Sequence, residues 1–158
     1  MKKVLIALDY DPNAQKVAEL GFAMGKAMSA EVILMHVIGD PAFYSSTVYD
    51  PIMGFGGFVN TGMLDPDMVN NLKSESQQFL DKSKAHLGDD TIQTYIIEGD
   101  IAESIIEVAK ELNIDVIVMG THSRKWLENL VMGSVTEKVL RHTTTPLFII
   151  PTKQEHTN

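Results

Sequence analysis

The chain contains no cysteine among its 158 residues. Disulfide bridges, thiolate nucleophiles and cysteine metal sites are therefore excluded. Basic residues are also few: the chain has 13 Lys and Arg and 21 Asp and Glu, which gives a formal net charge of −8. Nucleic acids and anionic membranes are bound by basic faces, so we expect neither as a general partner. A small phosphate ligand stays possible, since uncharged backbone amides can hold it.

Long hydrophobic runs are missing as well. No segment approaches the roughly 18 consecutive apolar residues of a membrane-spanning helix, and we expect no membrane insertion. The N-terminal stretch MKKVLIALDYD has too short an apolar run for a signal peptide, and Asp9 and Asp11 interrupt it. These features predict a cytoplasmic protein. The length predicts a single domain over residues 1–152, and we expect the polar tail at 153–158 to be disordered.

Short apolar runs rich in β-branched and aliphatic residues recur along the chain. They span residues 3–8, 31–38, 92–97, 115–120 and 146–150. The first, second and fourth are continuous and do not alternate with polar residues, which is typical of parallel strands covered on both faces. The sequence therefore predicts five strands of a mainly parallel sheet.

Helical periodicity fills the intervals between these runs. The predicted helices span residues 12–29, 66–87, 101–112 and 134–142. Asp11 followed by Pro12 is typical of a helix start, and so is Asp100 with a glutamate three positions on. Strands that alternate with helices predict an α/β fold. We expect a single-domain, doubly wound, five-stranded parallel sheet of order 3-2-1-4-5 with helices on both faces.

The loop GTHSRKWLENLVMGS joins the fourth strand to the last helix. Ligands of doubly wound sheets bind outside the carboxyl ends of the strands where the strand order reverses, here at Asp9 and Gly120. The last helix starts at Gly133 or Ser134, and a helix N-terminus offers free N–H groups to a phosphate. Ser134 and Thr136 add hydroxyl donors. The spacing indicates a phosphate site, while a turn glycine followed by an ordinary helix cap is the alternative interpretation.

Residues 39–65 form the one long irregular segment, in which glycine is mixed with Phe and Tyr. Connections of this length in compact domains are usually functional or mobile. Two interpretations stay open: a flexible cover over a ligand, or an insertion that the surface tolerates.

Four stretches together resemble the universal stress protein family: VLIALD, ILMHV, GDIAESIIEVAKELNIDVIVMGTHS and MGSVTEKVLRHTTTPLFIIP. Nucleotide-binding members of that family carry a loop of Gly, two residues, Gly, nine residues and then Gly-Ser or Gly-Thr. Gly120 matches the first glycine, and Gly133 with Ser134 matches the last pair. Residues 124–132 supply the spacer of nine, whereas Ser123 replaces the middle glycine.

The resemblance implies an adenine-nucleotide-binding protein of stress response or signalling, with ATP or AMP as the ligand. It implies that Asp9 meets the ribose hydroxyls or a metal, that Val37 recognises adenine through its main chain, and that Gly120 lines the ribose. The implied apolar floor consists of Ala7, Leu8 and Met119.

The phosphates would be held by residues of the loop and of the last helix. The resemblance implies Ser123, Gly133, Ser134, Val135 and Thr136. Arg124 either neutralises phosphate charge or is a solvated loop cation, and His122 either faces the crevice or is exposed. Mg²⁺ or Mn²⁺, where bound, would ride on the phosphates, because the sequence shows no dedicated protein cage for a metal.

Familiar catalytic motifs are absent: the sequence contains no GxSxG, no HExxH and no GxxxxGK[ST]. We therefore expect a binding module with slow ATP hydrolysis at most and assign no catalytic residue. Ser123 at the middle loop position keeps open a dimeric regulatory protein that binds no nucleotide. A slow ATPase that uses Asp9 and His122 is a third hypothesis.

The last strand, which starts at Pro146 and ends at Ile150, is apolar and falls at an edge of the predicted sheet. An uncovered apolar edge invites pairing with another chain. The family resemblance implies the same arrangement, in which two last strands pair about a two-fold axis. We expect a homodimer through this strand.

Overall fold

A computed structural model describes residues 1–39, 66–121 and 134–152 of the chain. The strands are β1 Lys3–Ala7, β2 Glu31–Ile38, β3 Gln93–Glu98, β4 Val116–Gly120 and β5 Leu147–Ile150. The helices are α1 Ala14–Ala27, α2 Pro66–Leu87, α3 Ile101–Glu111 and α4 Ser134–His142. Each of these elements lies within two residues of its predicted bounds.

The strands form one parallel sheet in the order β3-β2-β1-β4-β5, which confirms the predicted topology. β1 lies at the centre, where Ile6 is opposite Leu34 of β2 and Val118 of β4. The strand order reverses between β1 and β4. Ligands of such sheets bind beyond the carboxyl ends of the strands at this reversal.

Alternate residues of the strands pack into two separate cores, one on each face of the sheet. Leu5, Met35 and Ile117 are buried with side chains of α3 and α4. On the opposite face, Ile6 and Leu34 are buried with side chains of α1 and α2. Because both faces are covered, the strand sequences are apolar without alternation. Helices on both faces are thereby confirmed.

The start of α1 differs from the prediction. The helix begins at Ala14, and Asn13 stands at the N-cap without a side-chain cap hydrogen bond. The Asp11 carboxylate accepts the Asn13 N–H at 2.7 Å, and the Asp11 carbonyl accepts the Ala14 N–H at 2.9 Å. Asp11 therefore closes a turn before the helix, and the predicted helix start at Asp11 and Pro12, with Asp11 as the N-cap, is wrong.

The start of α3 agrees with the prediction. The Asp100 carboxylate accepts the Glu103 N–H at 2.9 Å, so Asp100 caps the helix. The long irregular segment, apart from Gly39, lies outside the described residues, as does the tail at 153–158. Within the described ranges, no helix combines the length and the apolar character needed to cross a membrane.

Candidate functional site

The structure places nine of the predicted site residues, all of them at the carboxyl ends of strands or in the first turn of α4. They are Ala7, Leu8, Asp9, Val37, Met119, Gly120, Ser134, Val135 and Thr136. The predicted residues His122, Ser123, Arg124 and Gly133 lie outside the described residues. The glycine spacing of the loop and the replacement at Ser123 therefore stay predictions.

The apolar residues predicted for the site divide between the two faces of the sheet, and most lie on the face that α3 and α4 cover. Val37 and Met119 are buried in that core, and Ala7 and Val135 pack against it. Leu8 belongs to the core on the opposite face. Successive residues of an extended chain point to opposite faces, so Leu8 cannot share a surface with Ala7. The three side chains therefore do not form a common floor, and a nucleotide contact of Ala7 and Met119 stays a prediction.

The turn after β1 is held by hydrogen bonds that orient Asp9. The Asp9 carboxylate accepts the Asp11 N–H at 3.2 Å. The Leu8 N–H donates to the Met35 carbonyl at 2.8 Å, and the Leu8 carbonyl accepts from Nδ1 of His36 at 2.8 Å. These contacts place the half-buried Asp9 side chain at the carboxyl end of the central strand.

His36 is a buried polar residue that supports this turn and that we did not predict as part of the site. Because a carbonyl only accepts, Nδ1 carries the proton and Nε2 is an acceptor; Nε2 has no hydrogen-bond partner among the described residues. The rings of Tyr10 and Phe79 lie 4.5 and 5.8 Å from the imidazole. Burial lowers the pKa of His36, against the opposing effects of the Leu8 carbonyl and the Asp9 charge. A single histidine inside an apolar strand is the sequence signal for such a residue.

We call the group Gly120, Thr121, Thr136 and Thr152 the β4 end. A Cβ at Gly120 would lie 2.8 Å from Cγ2 of Thr152 and 3.0 Å from Cγ2 of Val17. Thr136 is 2% exposed, and its hydroxyl donates to the Gly120 carbonyl at 2.9 Å. That proton is not available to a phosphate. The internal packing of the chain accounts for Gly120 and Thr136 without a ligand.

Further hydrogen bonds close the β4 end. The Thr121 N–H donates to the Ile150 carbonyl at 3.0 Å, and the Thr152 N–H donates to the Thr121 hydroxyl at 3.0 Å. The Asn13 side-chain amide donates to the Thr152 carbonyl at 3.1 Å. These contacts join the chain after β5 to the end of β4 and to the start of α1.

A cavity of about 240 Å³ lies where β2 and β3 end and where α3 and α4 begin. We call it the β3 cavity; it is lined by Gly39, Gly99, Asp100, Ile101, Ala102, Ser134, Val135 and Lys138. Two of these, Ser134 and Val135, are predicted phosphate-binding residues. Pockets that hold a whole small molecule typically measure about 300–1,000 Å³. The volume therefore suits a phosphate or ribose group better than a complete nucleotide.

One wall of the β3 cavity is charged. Nζ of Lys138 lies 3.1 Å from Oδ1 of Asp100 and 3.4 Å from Oε1 of Glu103. The Glu103 N–H and, to a smaller extent, the Lys138 ammonium lower the pKa of Asp100. The Asp100 carboxylate in turn raises the pKa of Lys138. The wall therefore carries one ammonium group and one carboxylate, and the Glu103 carboxylate contacts the same ammonium group from outside the lining of the cavity.

A larger groove of about 660 Å³ runs between α2 and β3. It is lined by Lys73, Ser74, Gln77, Ile96, Ile97 and Glu98. None of the predicted site residues is among them, so we do not assign this groove to the site. In the described part of the chain, no group of three or more His, Asp or Glu side chains is arranged to hold a metal ion.

Known proteins resemble this chain over almost its full length. Universal stress protein MJ0577 from Methanocaldococcus jannaschii is 26% identical over 155 residues, which cover 96% of each chain. The solved structure of MJ0577 matches the fold with a TM-score of 0.72 over 97% of each chain. Universal stress protein YxiE from Bacillus subtilis is 27% identical over 150 residues, which cover 94% of this chain and 97% of the relative.

A solved universal stress protein in complex with cAMP also shares the fold. Its TM-score is 0.66 at 16% identity, with 96% of this chain and 98% of the other covered. The family model described as the universal stress protein family matches residues 1–151. Since this match includes every described strand and helix, the chain belongs to the universal stress protein family.

Proposed function

We propose that this protein binds an adenine nucleotide, ATP or AMP, and acts in stress response or signalling. The observation that carries the proposal is the position of Ser134. It is the first residue of α4, and it borders a cavity at the carboxyl ends of the strands. A helix start at such a position is suited to a phosphate group. The cAMP bound by a structural relative, itself an adenine nucleotide, supports the choice of ligand class.

We assign the base and the phosphates to different residues of the site. Val37 and Met119 are buried in the apolar core beneath α3 and α4, with Val135 packed against it, so the base would meet the main chain of Val37 at the end of β2. The Ser134 hydroxyl and the free N–H groups of the first turn of α4 face the phosphates. Asp9 at the end of β1 is then left for the ribose hydroxyls. Mg²⁺ or Mn²⁺ would be coordinated mainly by the phosphates, as is usual for Mg²⁺.

Isothermal titration calorimetry with ATP and AMP tests the proposal. A Ser134→Asp variant gives the sharpest contrast, because a carboxylate in the first turn stabilises a helix but repels a phosphate. We expect the variant to bind ATP at least about tenfold more weakly, while its thermal midpoint stays the same or rises. Ser134→Ala is the neutral control and should have a smaller effect on affinity.

Mass spectrometry of small molecules released from the denatured, purified protein identifies any nucleotide that is already bound. Absence of heat and of a thermal shift with the wild-type protein at millimolar ATP and AMP rejects the proposal. That result would favour the alternative hypothesis of a dimeric regulatory protein that binds no nucleotide.

We also infer a homodimer through β5. This strand is at the edge of the sheet, and Phe148 in it is 42% exposed. Unpaired strand edges associate readily, and a two-fold pair would also cover the Phe148 side chains. Light scattering at micromolar concentration should give twice the chain mass of 17.5 kDa. Phe148→Glu should shift the mass towards the monomer, whereas a monomeric wild-type protein would contradict the inference.

A further inference from the structure

Lys138 lies one helical turn after Ser134, and both residues line the β3 cavity. Side chains of a helix lean towards its N-terminus, so the Lys138 side chain runs back towards the first turn of α4. Its Nζ reaches Oδ1 of Asp100, the residue that caps α3, at 3.1 Å. The ammonium group therefore lies between the starts of two helices, beside the position that we propose for the phosphates.

Without Lys138 this wall would repel an anion, because Asp100 lines the cavity and the Glu103 carboxylate lies beside the same ammonium group. Among the described residues, the Lys138 ammonium is the one cation that pairs with them, at 3.1 and 3.4 Å. The side chains of Lys138, Asp100 and Glu103 are 42%, 49% and 65% exposed. Ion pairs with this exposure are weak, since water screens them. A phosphate can thus replace a carboxylate as the partner of Lys138 at little cost.

We propose that Lys138 is a specificity-determining residue of the nucleotide site. It offsets part of the charge of Asp100 and Glu103 when the cavity is empty and donates to a phosphate oxygen when a nucleotide is bound. The site then prefers phosphorylated ligands to the bare nucleoside, and the two carboxylates limit the strength of that preference. This inference rests on the proposed function and adds a charged contact to it.

Titration of ATP, AMP and adenosine into four forms of the full-length protein tests the inference. The forms are the wild type, Lys138→Gln, Glu103→Gln and Arg141→Gln. Arg141 is the matched control, because it is a cation of the same helix whose guanidinium pairs with Glu137 at 2.7 Å and does not line the cavity. We expect Lys138→Gln to weaken ATP binding about tenfold and adenosine binding less than about twofold.

Removal of an acidic partner of Lys138 should have the opposite effect on the affinity for ATP. Glu103→Gln removes a competitor for the ammonium, and we expect ATP to bind about two- to threefold more tightly. Asp100→Asn should do the same, because asparagine keeps the helix cap while it removes the charge. The difference between wild type and Lys138→Gln should shrink as the salt concentration rises, since salt screens exposed charges.

The outcomes separate this inference from the proposed function. If wild type binds ATP, and Lys138→Gln loses no more affinity than Arg141→Gln or loses adenosine in equal proportion, the role of Lys138 is wrong and the proposed function stands. If wild type binds none of the three ligands, the proposed function fails and this inference fails with it. Lys138→Arg keeps the charge and should keep the preference for ATP, so it provides the answer if Lys138→Gln does not fold.

Discussion

Two regions at the carboxyl ends of the strands contain similar residues in different arrangements. At the β4 end, methyl groups of Thr152 and Val17 occupy the space beside Gly120, and the Thr136 hydroxyl donates to the Gly120 carbonyl. At the β3 cavity, Gly39, Gly99 and Ser134 border a space of about 240 Å³ that the described residues leave open. Both regions combine glycine near a strand end with a hydroxyl residue in the first turn of α4.

Glycine together with a hydroxyl residue therefore indicates that other atoms lie close to the backbone. The pattern does not show whether those atoms belong to the same chain or to a ligand. At Gly120 the approaching groups are Val17 and Thr152 of the same chain. At Ser134 they would be atoms of a ligand. The structural interpretation therefore fits Gly120 and Thr136 best, and the binding interpretation is concentrated on Ser134 and its neighbours in the β3 cavity.

The largest effect is expected when a methyl group is added at Gly120, which tests whether this glycine is required for internal packing. In Gly120→Ala the new Cβ would lie 2.8 Å from Cγ2 of Thr152, and overpacking of this kind typically costs about 1–3 kcal/mol of unfolding free energy. Urea denaturation without any ligand measures the loss. Thr152→Ser removes the opposing methyl group and keeps the hydroxyl, so the double variant should recover part of the stability.

Gly120→Ala would contradict the comparison if it unfolded at the wild-type urea concentration and lost nucleotide affinity instead. Gly120 would then belong with the β3 cavity as a ligand-contacting residue.

A smaller effect should separate the two hydroxyl residues of α4. Thr136→Val keeps the shape of the side chain but removes the donor to the Gly120 carbonyl, and we expect a loss of about 1–2 kcal/mol in unfolding free energy. Ser134→Ala removes an exposed hydroxyl, and stability should change by less than about 0.5 kcal/mol. Nucleotide affinity should respond in the reverse order, with Ser134→Ala weakening it more. Equal effects of the two variants on both quantities would remove the distinction.

The smallest expected effect is the pH dependence of stability that comes from His36, a residue of β2 that contacts the Leu8 carbonyl just after β1. Its pKa is lowered in the folded state, so below about pH 6.5, the ordinary value for histidine, the unfolded chain binds a proton that the folded chain does not. Stability should therefore fall as the pH falls through this region, by at most about 1.4 kcal/mol per pH unit. Chemical denaturation of wild type and His36→Gln between pH 7.5 and 5.5 measures the difference.

His36→Gln should reduce the slope of stability against pH in that interval, whatever its stability at pH 7.5. An unchanged slope would mean that His36 does not titrate differently on folding. The contribution of Asp100 is separate, because its lowered pKa affects stability only as the pH falls through the ordinary range of carboxylates and below it.

Most of the fold could be predicted from the sequence because its signals are local or periodic. Apolar runs without alternation indicated strands covered on both faces, and the two cores confirm this. The error at the start of α1 has a local cause. Aspartate accepts N–H groups both in turns and at helix caps, and at Asp11 the turn was formed, with the N–H of Asn13 as its donor.

The site could be predicted only in part, because its contacts join residues that are distant in the chain. The ion pair between Lys138 and Asp100 spans 38 positions, and the hydrogen bond between His36 and Leu8 spans 28. No periodicity or spacing reports such pairs. The role of Ser123 in the loop stays a prediction.

Composition and patterning alone were sufficient for the α/β class, the parallel sheet and its strand order, since burial of apolar residues and the right-handed crossovers leave few other arrangements. The sequence also predicted a ligand at the carboxyl ends of β1 and β4, which stays a prediction. Only the tertiary structure decided where side chains of the chain itself leave no space for a ligand. Packing of Thr152 and Val17 fills the space beside Gly120, while Lys138, Asp100 and Ser134 meet at a cavity because α3 and α4 start side by side.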